Sequence, residues 1–284
     1  MGGIIWLASY PKSGNTWTRA FLHNLLTNPA QPVDVNELDK FTLGESARSW
    51  YERHATKPLE SMTLDEIVAL RAQVHRDFTR VSPDSVFVKT HNFLGERGGH
   101  PIHNMDVTAG AIYIVRNPLD VVISMTHHFG LTVDEAIDMM NNPLADTDLT
   151  ERHVPQILST WSTHVTSWAR EERPGLHIMR YEDMLEKPLK TFGKLTRFLG
   201  LNPSKERLQK AIRFSSFRVL KEQEKARGFK ERSAVAKSFF REGTRDQWRK
   251  LLTPEQVQRI VDDHGEQMAR FGYVPKVIPK QGAA

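Results

Sequence analysis

The 284 residues include no cysteine. That absence excludes a disulfide, a thiolate nucleophile and any zinc or iron–sulfur site built on cysteine. It accords with a reducing compartment, and a cytoplasmic location is the expectation. Long apolar runs are missing as well. The first one covers only residues 4–8, far short of the roughly 20 apolar residues that span a membrane. No charged segment precedes it as in a secretory signal. Gly2 follows Met1, but Trp6 stands where an N-myristoylation pattern needs Ser or Thr. A soluble, unprocessed chain is expected, with no membrane span.

There is little net charge of either sign. Lys plus Arg number 39 and Asp plus Glu 34, a net charge of +5, with a pI near 9.4. So small an excess favours anionic partners without requiring one. With 26% charged and 39% hydrophobic residues the composition is that of a globular protein, not a disordered one. No repeat and no Gly/Ser-rich linker divides the chain. One domain over residues 1–274, followed by a tail at 275–284, is the expected organisation, although length alone would allow one or two domains at roughly 150 residues each.

Three short runs, at residues 4–8, 86–90 and 111–115, are almost continuously apolar, which suits strands covered on both faces in a parallel sheet. A weaker fourth candidate lies at 177–180. Helical patterns occupy 16–26, a segment running to residue 80 that opens on the capping-box pair Thr63 and Glu66, 154–170, and a segment running to Phe271 that opens on Thr253-Pro254-Glu255. Strands alternating with helices predict an α/β fold with a central parallel β-sheet flanked by helices. Irregular stretches at 27–45, 92–108 and 228–244 read as functional loops or lids.

The segment SYPKSGNTW, residues 9–17, joins the first strand to the first helix. A strand, a small-residue turn and a helix N-terminus line up backbone N–H groups around an anion, and the helix dipole adds to their pull. Gly14 allows the backbone close approach, Lys12 adds a cation, and Ser13, Asn15 and Thr16 add hydrogen-bond donors. The competing reading is a tight turn stiffened by Pro11 and capped by Thr16. In the usual nucleoside-triphosphate loop the lysine follows the last glycine, whereas Lys12 precedes Gly14.

YPKSGNTW closely resembles the 5′-phosphosulfate loop of the cytosolic-type sulfotransferases, whose bacterial small-molecule members it brings to mind; the family pattern has Thr where this chain has Asn15. The resemblance implies a P-loop nucleotide-kinase-like sulfotransferase fold. It also implies 3′-phosphoadenosine 5′-phosphosulfate (PAPS) as sulfuryl donor and 3′-phosphoadenosine 5′-phosphate (PAP) as product. Further segments similar to family motifs follow in order. VKTHNF, residues 88–93, brings Lys89 and His91, two apart on a strand and so directed to one side. By the resemblance Lys89 holds the sulfuryl oxygens and His91 is the general base; a lone strand-end histidine would otherwise read as structural.

IVRNPLDVVISMTHHF, residues 114–129, supplies Arg116 and Ser124 for the 3′-phosphate, a role suited to a planar guanidinium fork. Without the family pattern, Arg-Asn-Pro with Asp120 reads equally as a helix start. His127 and His128 have no ligand set, and no metal is assigned. Tyr181 in YEDM, Ser215 and Phe217 in FSSFRVL, and Trp17 would surround the adenine, although aromatics at such positions also serve as core. FREGTRDQW, residues 240–248, resembles the segment that closes on the 3′-phosphate through Arg241, Glu242 and Gly243. Glu242 replaces a family lysine and is expected to turn away, leaving more of the binding to Arg241. Arg249, Pro254 and Gln258 depart from the family's dimer segment, so the oligomeric state stays open.

The resemblance implies in-line transfer of a sulfuryl group to a hydroxyl or amine of a small acceptor, catalysed by His91, Lys12, Lys89 and Ser124. Ser124 would bridge toward Lys12, and no metal is required because fixed cations supply the field. The acceptor would meet residues such as Trp50, Phe93, Met125, Phe129, Met139 and Phe229, which suit a hydrophobic alcohol or phenol but also read as core; a sugar, a lipid or a peptide natural product stays open as acceptor. Two other readings stay in view. A P-loop small-molecule kinase would use ATP and magnesium. A non-catalytic nucleotide- or nucleic-acid-binding module would show a basic stripe with interleaved aromatics, but the charges here are mixed and no nucleic-acid partner is expected.

Overall fold

The computed structural model describes residues 2–170 and 174–277. Its strands are β1 (Ile4–Ser9), β2 (Thr42–Gly44), β3 (Val86–Thr90), β4 (Glu96–Arg97), β5 (His100–Pro101), β6 (Thr108–Val115) and β7 (Leu176–Arg180). Five of them form a parallel sheet in the order β2-β3-β1-β6-β7, while β4 and β5 make a separate antiparallel hairpin. All β1 side chains except Ile5 are buried, as a central strand covered on both faces requires. β1 and β3 pair in register from Ile4↔Val86 to Ala8↔Thr90, so their carboxyl ends finish level. β1 has β3 on one side and β6 on the other. Such a switch point, where successive connections leave in opposite directions, is where open α/β sheets bind ligands.

Two helices start where the sequence chemistry places them. Leu64–Phe78 opens on a reciprocal capping box, with Glu66 N–H donating to Thr63 Oγ1 at 3.3 Å and Thr63 N–H to Glu66 Oε2 at 2.7 Å. Pro254–Phe271 opens on the same device, made by Thr253 and Gln256. The expected helix at 154–170 is corrected: only Trp161–Ala169 is helical. Ile157 instead makes a bridge to Asp146, and Ser159 takes a left-handed φ of 56°. Thr160 then caps the helix by accepting from Thr163 N–H. The expected loop at 27–45 contains β2, an edge strand of three residues with no apolar run to betray it. Residues 92–108 hold the β4–β5 hairpin, and 228–244 contain no helix or strand. Among the described residues no helix is long and apolar enough to cross a membrane. The expected tail lies, from residue 278 onward, outside the described residues.

The backbone gathers into two compact units. One consists of Met1–Tyr10, Asp39–Tyr113 and Asn142–Ile178, the other of Pro11–Leu38, Ile114–Asn141 and the chain from Met179 on. In the first unit the core includes charge. Glu45, Arg71, His75, Tyr51 and Asn92 are all fully buried. Glu45 Oε1 accepts from Arg71 Nη1 and from the Tyr51 hydroxyl, both at 2.5 Å, and Glu45 Oε2 accepts from Asn92 Nδ2 at 2.6 Å. Burial alone would raise the Glu45 pKa; Arg71, then His75 and Tyr51, outweigh it and hold the carboxyl well below its ordinary value. Removing one partner would strand the other charge at a cost of about 3–5 kcal/mol.

Burial lowers the pKa of His75 and His103, and that of His164 to about 3. A histidine held neutral in the fold binds its proton more readily in the unfolded chain. Its contribution to stability is therefore complete above about pH 6.5 and is lost as the pH falls toward the folded value. Each such group loses about 1.4 kcal/mol per pH unit inside that window. Thermal melts at constant ionic strength should be level between pH 8 and 7 and should fall steeply below 6.5. A melting temperature at pH 5 equal to that at pH 7.5 would contradict this account.

Candidate active site

The second unit carries the loop that follows β1. Lys12 has a φ of 66° and Gly14 a φ of 105°, two left-handed residues that turn the chain sharply before the helix Asn15–Thr27. Only glycine fits at position 14: a Cβ there would lie 2.8 Å from the Tyr181 ring. Gly14, not Thr16, occupies the N-cap, and no side chain caps the helix. The positive end of the helix dipole therefore meets the loop without a side-chain cap, a setting that favours an anion. The buried Ser13 hydroxyl has no hydrogen-bond partner among the described residues. A buried donor left this way is costly unless a ligand meets it, so the loop fits a phosphate-like group.

Arg116, at the carboxyl end of β6, is only 6% exposed. Its Nη1 donates to the Lys12 carbonyl at 2.9 Å and its Nη2 to the Thr244 carbonyl at 3.4 Å. The guanidinium lies 4.3 Å from the centre of the Tyr181 ring, and Nε is buried without a hydrogen-bond partner among the described residues. Arg116 thus joins the anion loop to the segment around Gly243. Arg241 belongs to the same neighbourhood. Burial first, and then the positive charge of Arg116, pull its pKa down, with Glu242 opposing. The two guanidinium groups thus share one electrostatic environment.

Carboxylates hold this arrangement by bonding backbone amides. Asp120 accepts from the N–H groups of Asp246 at 2.7 Å and Trp248 at 3.2 Å. Burial raises its pKa, and Arg116 works against that rise. Glu182 accepts from Asn117 N–H at 3.0 Å and from the Tyr273 hydroxyl at 2.7 Å, fixing the residue next to Arg116. Glu224 accepts from Phe239 N–H at 2.6 Å and Phe240 N–H at 2.8 Å. Sequence reading missed all three roles. Only the position of Asp120 in the first turn of the Pro118–Phe129 helix hinted at one.

The remaining expected donor residues sit as follows. Gly243 has a φ of 64°, and a Cβ there would come within 2.3 Å of the Phe217 ring, so ring and glycine are in close contact. Glu242 is half-exposed, its carboxylate 3.8 Å from Arg241 Nη1. Trp17 meets Tyr181 and Phe192 edge-on at 5.8 and 6.0 Å. Ser215 is fully buried, and its hydroxyl donates to the Ala211 carbonyl at 2.9 Å. Asn15 and Thr16 are buried in the first helical turn, and Ser124 is half-buried on the Pro118–Phe129 helix. The Lys12 ammonium stands 4.0 Å over the Phe239 ring.

In the first unit, Lys89 and His91 are half-buried while Thr90 between them is fully buried, the alternation that a strand imposes. His91 Nδ1–H donates to the Ser9 carbonyl at 2.7 Å, and the Ser9 hydroxyl lies 3.3 Å from the same nitrogen. Donation from Nδ1 leaves the lone pair on Nε2 and fixes the ring at the carboxyl end of β1. The His91 carbonyl accepts from His164 Nε2 at 3.0 Å. Asn92 carries the Glu45 bond, its carbonyl accepts from Trp168 Nε1 at 3.0 Å, and its Oδ1 from Ile157 N–H at 2.7 Å. The buried ion pair therefore anchors the backbone one residue from His91. Of the apolar residues expected near an acceptor, Phe93 packs on Val68, Ile102 and Ile157. Phe229 belongs to a core cluster with Leu38 and Leu220, and Trp50 stands edge-on to Phe78 at 5.0 Å.

The family profile of the sulfotransferase domain matches residues 4–272. Sulfotransferase 1B1 of the dog, Canis lupus familiaris, is 27% identical over 266 residues, which cover 89% of this chain and 79% of the relative. The flavonol 3-sulfotransferase of Flaveria bidentis is 25% identical over 292 residues, covering 96% and 84%. Retinol dehydratase, solved with androsterone and the inactive cofactor PAP, is 20% identical and superposes with a TM-score of 0.65 over 93% of this chain and 80% of its own. That likeness shows a shared fold.

Gly14→Ala puts a methyl group into the Tyr181 ring at a backbone angle that alanine resists. It should destabilise the protein by about 1–3 kcal/mol, read from denaturant unfolding. Unchanged stability would mean that the loop is not packed as described.

Proposed function

This chain belongs to the sulfotransferase family, and on that premise we propose that it carries the sulfuryl group of PAPS to a hydroxyl of a small apolar acceptor. The observation that supports the donor side is the convergence of Arg116 and Arg241 beside a loop whose Lys12 carbonyl Arg116 itself holds. Arg116 and Arg241 would take the 3′-phosphate and the first-helix N-terminus with Ser13 the 5′-phosphate. Trp17, Tyr181 and Phe217 would enclose the base. In the transfer, the acceptor oxygen forms a bond to sulfur while the bond from sulfur to the bridging phosphate oxygen breaks. The electron pair stays with PAP, and the acceptor proton passes to His91 Nε2. Lys12 would neutralise charge growing on the departing oxygen, and Lys89 would hold the oxygens of the moving group. Positioning and a fixed positive field do most of such work.

The acceptor class draws on the relatives: one is named for a flavonol, and the solved neighbour holds androsterone. Both are apolar frameworks that bear a hydroxyl. A cytoplasmic location goes with this reading and with a chain that has no cysteine. The kinase alternative lacks support, because Lys12 precedes Gly14 where the ATP loop needs the reverse order.

Thermal-shift measurements should separate these readings. PAP without metal at 100 times its dissociation constant should stabilise the protein by about 2.7 kcal/mol, and ATP with magnesium should do much less. The opposite ranking would favour the kinase. His91→Ala should lower turnover with PAPS by about 100-fold or more and leave PAP affinity within about twofold. Arg116→Ala should weaken PAP by about 10- to 150-fold, the loss of a charge-assisted contact. Acceptors screened with PAPS and read by mass spectrometry for the added sulfuryl group would identify the substrate. Full turnover by His91→Ala would remove it from the mechanism.

A further inference from the structure

Phe239 immediately precedes the motif FREGTRDQW at residues 240–248, and its ring is the surface on which the Lys12 ammonium rests, 4.0 Å from the ring centre. The ring is fixed by its own surroundings. The N–H groups of Phe239 and Phe240 are both held by Glu224. The rings of Phe229 and Phe240 meet it edge-on at 4.8 and 5.0 Å. One residue further on, Lys221 Nζ donates to the Arg241 carbonyl at 2.5 Å, so the strip from 239 to 241 is tied to the helix Phe217–Arg227 at each step. Lys12 is pinned at its other end, where the φ of 66° and the bond from Arg116 to its carbonyl fix the backbone.

We propose that Phe239 is a positioning residue for Lys12, with Glu224 holding the ring in place. The electron-rich ring face takes one side of the ammonium and sets where it stands. The proposed 5′-phosphate of the donor would then meet an ammonium whose position the ring has already set. A long lysine side chain otherwise loses rotamer freedom when it binds, and a preformed seat removes that loss. The proposal rests on the sulfotransferase reading of the first loop.

The test is a double-mutant cycle on the full chain, read by titration calorimetry with PAP, which requires no knowledge of the acceptor. Phe239→Leu should weaken PAP binding by about 2- to 30-fold, the range expected for loss of a cation–ring contact. Phe239→Tyr, which keeps a ring face, should stay within about twofold of wild type. Phe239→Met serves as a second aliphatic variant if the leucine variant folds poorly. In a Lys12→Met background, Phe239→Leu should cost nothing further. Equal losses in both backgrounds would show that Phe239 only packs, and unchanged or tighter binding by Phe239→Leu would show that the ring competes with the donor; either result overturns the inference. Absence of PAP binding by wild type, or a Lys12→Met variant that binds PAP as wild type does, would instead overturn the donor-loop reading and the inference with it.

Discussion

The arrangement around the first loop leans on one buried guanidinium. Arg116 bonds the Lys12 carbonyl on one side and the Thr244 carbonyl on another, and lies over the Tyr181 ring. It therefore ties together three stretches of chain that are far apart in sequence. A cation this deeply buried is expensive unless compensated. Backbone carbonyls, an aromatic face and the nearby Asp120 supply part of that compensation, and the proposed phosphate would supply the rest. The position of Lys12 is in this sense a property of Arg116.

The buried acids follow a consistent pattern. Asp120, Glu182 and Glu224 each accept from backbone N–H groups of segments that carry a cation or its seat. Used this way, a carboxylate sets geometry through directional bonds, and its charge is partly spent on amides. In the first unit Glu45 works on similar lines, binding the side chain of Asn92 one residue from His91 while Arg71 answers its charge.

Much of this was legible in the sequence, for physical reasons. β1 and the second half of β6 are almost continuously apolar because both their faces are covered, and β3 is apolar up to Lys89. The caps at Thr63 and Thr253 announce themselves because a reciprocal bond needs particular residues three apart. Motifs single out Lys12, Gly14, Arg116 and Arg241 in the sequence, and the structure brings Arg116 to the Lys12 carbonyl. What stayed hidden depends on contacts across long sequence distances. β2 is a strand only because β3 offers it an edge. Residues 154–160 leave the helical path because Asp146 and Asn92 claim the backbone of Ile157. Nothing local marks Glu45 and Arg71 as partners, or Phe239 as the ring under Lys12.

The division of the backbone bears on how the chain acquires its fold. Each compact unit draws on three separated segments, and the segments alternate along the chain. During synthesis from the N-terminus the first unit lacks its third piece until about residue 178 has emerged, and the second waits for the chain beyond Met179. Early strands such as β1 and β3 must then pass time with part of their apolar surface uncovered. Topologies rich in such distant pairings fold slowly and expose sticky intermediates. For the same reason a proteolytic cut or a truncation within any one segment removes a piece that its unit needs, so neither unit can be excised as a contiguous fragment.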